Sequence, residues 1–290
     1  MSHIPVLLKE VIEILDPKAG EAVIDGTAGD GGHAEKILER IGDSGKLLLI
    51  DWDKENISKL ENKMKLNKNT FCVAGNYAKL PQIMAMNNFP KADGLLLDLG
   101  FSSEQLEMRN RGFSFRSDEP LIMTYGDESE SLKDFLKRVN AAELAEIIRK
   151  FGEERYAERI AEAIMENLRK INTSRELAEV IKKSVPKFYE YGRIHPATRT
   201  FQALRIYLNG ELENLEKVLD LLDRILNPGG RVVIISFHSL EDRIVKLNFN
   251  ESAKKGRLRL LTKKPICPSE EEVIKNFRSR SAKLRAAAII

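Results

Sequence analysis

Cysteine is nearly missing from this 290-residue chain, which has only Cys72 and Cys267. Two thiols without ligand spacing exclude a cysteine-built metal site and read as free structural residues in a reducing compartment. Histidine is scarce too, four in all, and His33, His195 and His238 share no metal-binding spacing, so no metal is expected. No apolar run reaches the roughly 18 residues of a membrane span. Met1-Ser2-His3-Ile4-Pro5 lacks the charged-then-apolar layout of a secretion signal. A cytoplasmic protein without a membrane partner is the expectation. Repeats and low-complexity tracts are absent, and so is a strong overall charge: at +3 the whole-molecule field decides little and local clusters decide more. What is present, 42% hydrophobic and 31% charged residues, describes a globular chain with a real core, long enough for one large domain or two smaller ones.

The chain is organised around Val23-Ile24-Asp25-Gly26-Thr27-Ala28-Gly29-Asp30-Gly31-Gly32-His33. A short apolar run ends in an acid, a glycine-rich turn follows, and Ala34 to Leu38 reads as a helix. Strand, tight turn and helix form the nucleotide-cofactor signature of an open α/β sheet. The segment Gly29 to Ala34 can be laid on the dinucleotide pattern, but that pattern holds a pyrophosphate against a helix N-terminus. Asp25 and Asp30 would repel a pyrophosphate and attract a ligand carrying an ammonium and a sulfonium. The charge logic therefore favours S-adenosyl-L-methionine (SAM) over NAD.

Lys46 to Asp51 is a second buried strand, and Asp51 lies about twenty residues beyond the glycines, where an acid typically binds ribose hydroxyls. A surface acid at a strand end is the plainer alternative. Thr70 to Gly75 is a third strand; Tyr77 after it suits either a loop beside the adenine or a core aromatic. The fourth, Ala92 to Asp98, again ends in a carboxylate. In parallel sheets ligands bind outside the carboxyl ends of the strands, so Asp25, Asp51 and Asp98 together indicate a cationic, hydroxyl-bearing ligand. From about Gln105 to Leu208 helical spacing prevails, with Thr173-Ser174-Arg175-Glu176 offering a helix cap. The α/β pattern resumes with a helix over 213–226 closed by Asn227-Pro228-Gly229-Gly230. A strand over 231–237 and two short strands, 258–261 and 282–290, complete it; the alanines of the last suit a helix equally. The expected domains are 1–105 with 208–290, and an inserted helical domain over 106–207.

Asp25-Gly26-Thr27 with Gly31-Gly32-His33, and Leu97-Asp98-Leu99-Gly100 with Ser102-Ser103 and Gln105, resemble the bacterial 16S rRNA cytosine-N4 methyltransferase family (RsmH/MraW). So do Arg111 to Arg116, His195 to Arg205 and Ser236 to Arg243. These segments run through essentially the whole chain. The resemblance implies a Rossmann-like class I SAM-dependent methyltransferase sheet with an inserted all-α domain. It also implies methylation of the exocyclic N4 of a decoding-region cytosine, with 16S rRNA, within the small ribosomal subunit, as partner. Carried over by motif, the cofactor residues are Gly31, Gly32, His33, Asp51, Tyr77, Asp98 and Gln105.

Many amino-methyltransferases follow the fourth strand with two prolines and an aromatic that hold the target amine; here Asp98-Leu99-Gly100-Phe101 lacks the prolines. Asp98 therefore stays open between cofactor ligand and catalytic contact to the amine. A histidine at the fifth strand's exit, His238, is a second candidate, with helix capping as its plainer role. Arg109, Arg111, Phe113, Phe115 and Arg116 mix rings and cations in the manner of an RNA contact, with Phe113 a ring to stack on an extruded base. Arg199, Arg205, Arg243, Lys254, Lys255 and Arg257 are candidate phosphate partners. A SAM enzyme for a small molecule or protein, and a non-catalytic module of ribosome assembly, share the strand-end acids with this reading.

Overall fold

The computed structural model describes residues 4–64, 68–99, 111–126, 130–191 and 195–290. Its chain divides into two compact units, 1–102 with 212–290, and 103–211.

The first unit is a doubly wound sheet. Strands β1 (Ala22–Asp25), β2 (Lys46–Asp51), β3 (Thr70–Ala74), β4 (Ala92–Asp98), β5 (Leu226–Ser236), β6 (Leu258–Leu260) and β7 (Lys283–Ile289) take the order β3-β2-β1-β4-β5-β7-β6. The first five pair in parallel and β7 runs antiparallel to both its neighbours. This is the expected Rossmann-like arrangement. Strands buried on both faces read as continuous apolar runs because helices cover each side. Alternate residues supply the two cores. Ile24, Leu48, Leu95, Leu97 and Ile234 pack under α4 (Leu80–Met86), α10 (Glu211–Asp220), α11 (Leu222–Ile225) and α12 (Ser239–Lys254). Val23, Leu47, Leu49, Leu96 and Val233 pack under α1 (Leu8–Leu15), α2 (Gly32–Ile41) and α3 (Lys54–Met64). Chain order reverses between β1 and β4, which makes their carboxyl ends the crevice where such sheets take ligands.

Two elements differ from the sequence reading. The helix expected over 213–226 is two helices, and β5 begins at Leu226 rather than after Gly230. Pairing with β4 jumps from Ala92↔Leu226 to Gly94↔Arg231, so Asn227-Pro228-Gly229-Gly230 is an excursion inside the strand. Proline has no N–H for the ladder, and Gly229 has a φ of 80°, which glycine tolerates. Asn227 closes the excursion by donating from its amide to Asp93 Oδ1 at 2.9 Å. At the other end, the alanines of β7 form a strand despite their helical preference. Ala286, Ala287 and Ala288 are buried between β5 and β6, where ladder pairing on both edges outweighs a propensity of well under 1 kcal/mol per residue.

The second unit is helical: α5 (Leu132–Arg138), α6 (Ala141–Gly152), α7 (Ala157–Glu166), α8 (Ser174–Ser184) and α9 (Thr198–Asn209). Strand-like pairing among its described residues is limited to one isolated bridge, Pro120 to Thr173. Thr173 and Glu176 form the reciprocal cap that the sequence suggests, and Asn140 and Glu143 form another. No helix among the described residues is long and apolar enough to cross a membrane.

Arg231, where the β5 ladder resumes after the excursion, ties the strand to the end of α1. Its guanidinium donates to the carbonyls of Leu15 (2.7 Å) and Asp16 (2.8 Å) and pairs with Glu21 Oε2 at 2.7 Å. Those carbonyls have no helical partner, so the side chain is their cap. Arg231→Met leaves a half-buried carboxylate and two carbonyls unsatisfied, and the expected loss is about 2–4 kcal/mol by urea denaturation. A midpoint within error of wild type would contradict this role.

Candidate cofactor site

Asp25, Asp51 and Asp98 end β1, β2 and β4, which are neighbours in the sheet, so the acids stand side by side along one edge. The turn after β1 is stitched to both flanking strands. Gly26 N donates to Leu96 O at 2.9 Å and Ala28 N to Ile50 O at 2.8 Å. Thr27 reaches β4, its Oγ1 accepting from Asp98 N at 2.6 Å. Gly31, the residue before α2, has a φ of 79°, which a side chain would strain. At Gly32 a Cβ would lie 2.3 Å from Pro5 Cγ, so a glycine is needed for the N-terminal segment to cross here.

Asp51 is held by the turn itself. Its Oδ2 accepts from Gly29 N at 2.9 Å and its Oδ1 from Asp53 N at 2.8 Å. Asp25 Oδ1 accepts from Thr27 N at 3.1 Å. Burial dominates both groups: it pushes the Asp25 carboxyl up to about 7 and that of Asp51 up to about 6, against backbone hydrogen bonds that pull the other way. Asn56, in the first turn of α3, is fully buried near Asp51, and neither of its amide atoms makes a hydrogen bond of good geometry. Its amide nonetheless acts on the Asp51 carboxyl, which it helps to hold ionised against burial.

His33 lies in the first turn of α2 and is buried. Its Nε2 is 3.0 Å from Val6 O, a group that can only accept, so Nε2 carries the hydrogen. Its Nδ1 is 3.8 Å from Asp98 Oδ2. The motif residues Gly31, Gly32, His33, Asp51 and Asp98 thus meet at one sheet edge. Tyr77 is also near the β1 turn, but it is buried in the core layer with Ile24 and Leu97. Gln105 falls outside the described residues, as do Gly100, Ser102, Ser103 and Arg109.

The same strand ends also gather groups outside the motif: Asp25, Thr27, Asp53, Asn56 and the carbonyl of Val6. An acid at every second position in Asp51-Trp52-Asp53 was a legible signal for the third of these; the Val6 carbonyl leaves no trace in a side-chain pattern. His238 caps α12, its Nδ1 accepting from Glu241 N at 3.4 Å, while Glu241 Oε1 lies 3.1 Å from Nε2. Its ring is engaged in helix capping.

In the helical unit the expected RNA-facing residues fare differently. Phe113 is not a free stacking ring: it is buried and stacked on Tyr125 with centroids 5.2 Å apart. Phe115 stacks on His195 at 4.6 Å. The Arg111 guanidinium is taken by the carbonyls of Thr124 and Tyr125, and Arg205 by Glu211 at 2.7 Å. Apolar contact and internal carbonyls outcompete water for these groups. Arg116 is exposed.

Against this geometry the comparisons with known proteins are decisive. The model of the MraW methylase family matches residues 1–290. The chain belongs to that family. Ribosomal RNA small subunit methyltransferase H of Thermotoga neapolitana is 47% identical over 294 residues, covering 99% of this chain and 96% of that one. Its namesake in Trichlorobacter lovleyi is 44% identical over 305 residues, with 98% and 97% covered, and that of Syntrophus aciditrophicus 43% identical, with 98% and 96% covered.

The cofactor is accordingly SAM, and the site residues fit it. Strand-end carboxylates suit its ribose hydroxyls and its cationic ammonium and sulfonium, and Asn56 offers a donor and an acceptor.

Because Asp25 and Asp51 ionise only near neutrality, SAM affinity should fall as pH drops from about 8 to about 5. The unliganded fold responds with the opposite sign. Both folded-state values are raised above the usual carboxylate range, so the native state holds extra protons between about 4 and 7 and gains stability as pH falls through that window. Calorimetric titration with SAM and urea melts across the same pH series check both slopes. Affinity flat over the window would show that these carboxylates do not face the ligand's charge.

Proposed function

We propose that this protein is a SAM-dependent methyltransferase of 16S ribosomal RNA, acting on the exocyclic N4 of a cytosine in the decoding region of the small subunit. The observation that carries the reading is the carboxylate edge at the sheet's switch point, with Asp98 beside His33, in a chain of a methylase family whose curated relatives bear the name ribosomal RNA small subunit methyltransferase H. The cytosine-N4 target rests on the resemblance of the Leu97-Asp98-Leu99-Gly100, His195–Arg205 and Ser236–Arg243 segments.

When bound, SAM supplies an electrophilic methyl group on a sulfonium. The chain's task is alignment and charge. A cytosine N4 amine is a poor nucleophile because its lone pair is delocalised into the ring. Holding it in line can lower the barrier by up to roughly 7–11 kcal/mol. As nitrogen turns tetrahedral it gains positive charge, and an anionic acceptor stabilises that stage more than the ground state. Asp98 is the acid proposed for it. Its backbone is fixed by Thr27, and its side chain is mostly buried, where charge acts strongly. His33, held by Val6 O, lies beside it. Gly31, Gly32, His33, Asp51, Tyr77 and Gln105 are the proposed cofactor contacts, and the helical unit 103–211 is the proposed RNA-substrate domain.

Two measurements test this. Labelled SAM incubated with small subunits from a strain lacking the enzyme should place one methyl group on one cytosine, located by mass spectrometry of rRNA fragments. Asp98→Asn, which keeps shape and removes charge, should cut turnover roughly 10²-fold or more. Unchanged SAM affinity in that variant would assign Asp98 to the amine, and a proportional fall would assign it to the cofactor. Wild-type turnover with wild-type affinity would remove Asp98 from the site.

A further inference from the structure

The segment Ile4–Leu7 links the cofactor turn to the C-terminal part of the sheet unit. On one side Pro5 lies against Gly32 and Val6 O receives His33. On the other, Leu7 N donates to Glu272 Oε1 at 2.7 Å and Asn276 Nδ2 donates to Ile4 O at 3.0 Å. Glu272 belongs to α13 (Glu270–Lys275), and Asn276 leads into a 3₁₀ turn, Phe277–Ser281. That turn carries an unusual surface. Phe277 is 66% exposed, Ile274 84% and Ile4 48%. The Arg280 guanidinium carbon sits 4.1 Å from the centroid of the Phe277 ring, and Nη1 donates to Phe277 O at 3.3 Å. The acids of α13 are engaged nearby: Glu271 pairs with Lys275 at 2.6 Å and Glu272 accepts from Leu7 N. Arg278 and Arg280 are both exposed on the same turn as the ring.

A large ring left in water costs free energy unless something covers it. A cation parked on an exposed aromatic, beside a second arginine, is the composition that receives single-stranded nucleic acid: the ring stacks on a base and the guanidinium groups meet phosphates. We infer that Phe277, with Arg278 and Arg280, is a docking point for a single-stranded RNA nucleotide flanking the methylated base, one short segment away from the cofactor turn. This rests on the RNA-methyltransferase reading above and extends it to a surface outside the strand ends and outside the helical unit.

The test uses the full-length protein with two readouts. One is binding of a fluorescein-labelled single-stranded oligoribonucleotide by anisotropy; the other is steady-state methyl transfer to small subunits. Phe277→Ala should weaken oligonucleotide binding and raise KM for subunits by roughly tenfold, within the range for one base–aromatic stack, with SAM affinity unchanged. Phe277→Trp should restore both. Arg280→Ala should also flatten the salt dependence, by about 0.7 log units per lost phosphate contact. If the wild type methylates subunits while Phe277→Ala binds and turns over as the wild type does, the docking point is overturned and the function stands. If the wild type methylates no RNA yet Phe277→Ala loses oligonucleotide binding, the function falls and the RNA surface stands. A drop in light-scattering mass for Phe277→Ala would instead mark the patch as a contact between copies of this chain and overturn the inference.

Discussion

Burying carboxylates at the ends of adjacent strands is the constraint on which the rest of the sheet unit depends. A lone buried carboxylate is unfavourable, and backbone N–H groups are the donors nearest to hand at a strand end. Gly29 and Asp53 supply them to Asp51, and Thr27 supplies one to Asp25. The turn must then curl back over the strands, which in turn demands the positive φ at Gly31. The glycine-rich loop is thus shaped from beneath as much as by the ligand above it. The raised values at Asp25 and Asp51 mark what this arrangement leaves uncompensated, and a cationic ligand is what would complete it.

The N-terminal segment belongs to the same design. Leu7 has a φ of 52°, a strained state for a branched-chain residue, and its N–H is held by Glu272. Its neighbour Val6 presents the carbonyl that sets the tautomer of His33. Residues far apart in the chain, in α13 and in α2, are thereby tied to one four-residue strap.

Much of this was legible in the sequence, for physical reasons. Apolar runs ending in Asp25, Asp51 and Asp98 announce strands that are buried along their length and polar at one end, and a glycine cluster announces the turn. Side-chain patterns also expose the helices of the second unit through their spacing and caps. What escaped depends on tertiary pairing. The start of β5 at Leu226 is set by the neighbouring Ala92, not by the Pro-Gly-Gly that reads as a turn. Phe113 has the composition of a surface contact and becomes core because Tyr125 covers it. Tyr77 is core in burial, one of the two readings its position allowed. The Val6 carbonyl is a backbone atom, invisible to any reading of residue types.

The helical unit interrupts the sheet unit between β4 and β5, so a strand pair at the middle of the sheet closes across 103–211. Chain-closure entropy rises only logarithmically, about 0.6 kcal/mol for each doubling of loop length, so even so long an interruption is affordable at equilibrium. Time is a different matter. Helices rich in local contacts form fast, while pairings between distant segments wait on diffusion. The β4–β5 ladder joins the parallel neighbours that lie furthest apart in the chain, so it is the pairing expected to form last. The burden that the insertion places on the sheet is thus one of time and not of stability.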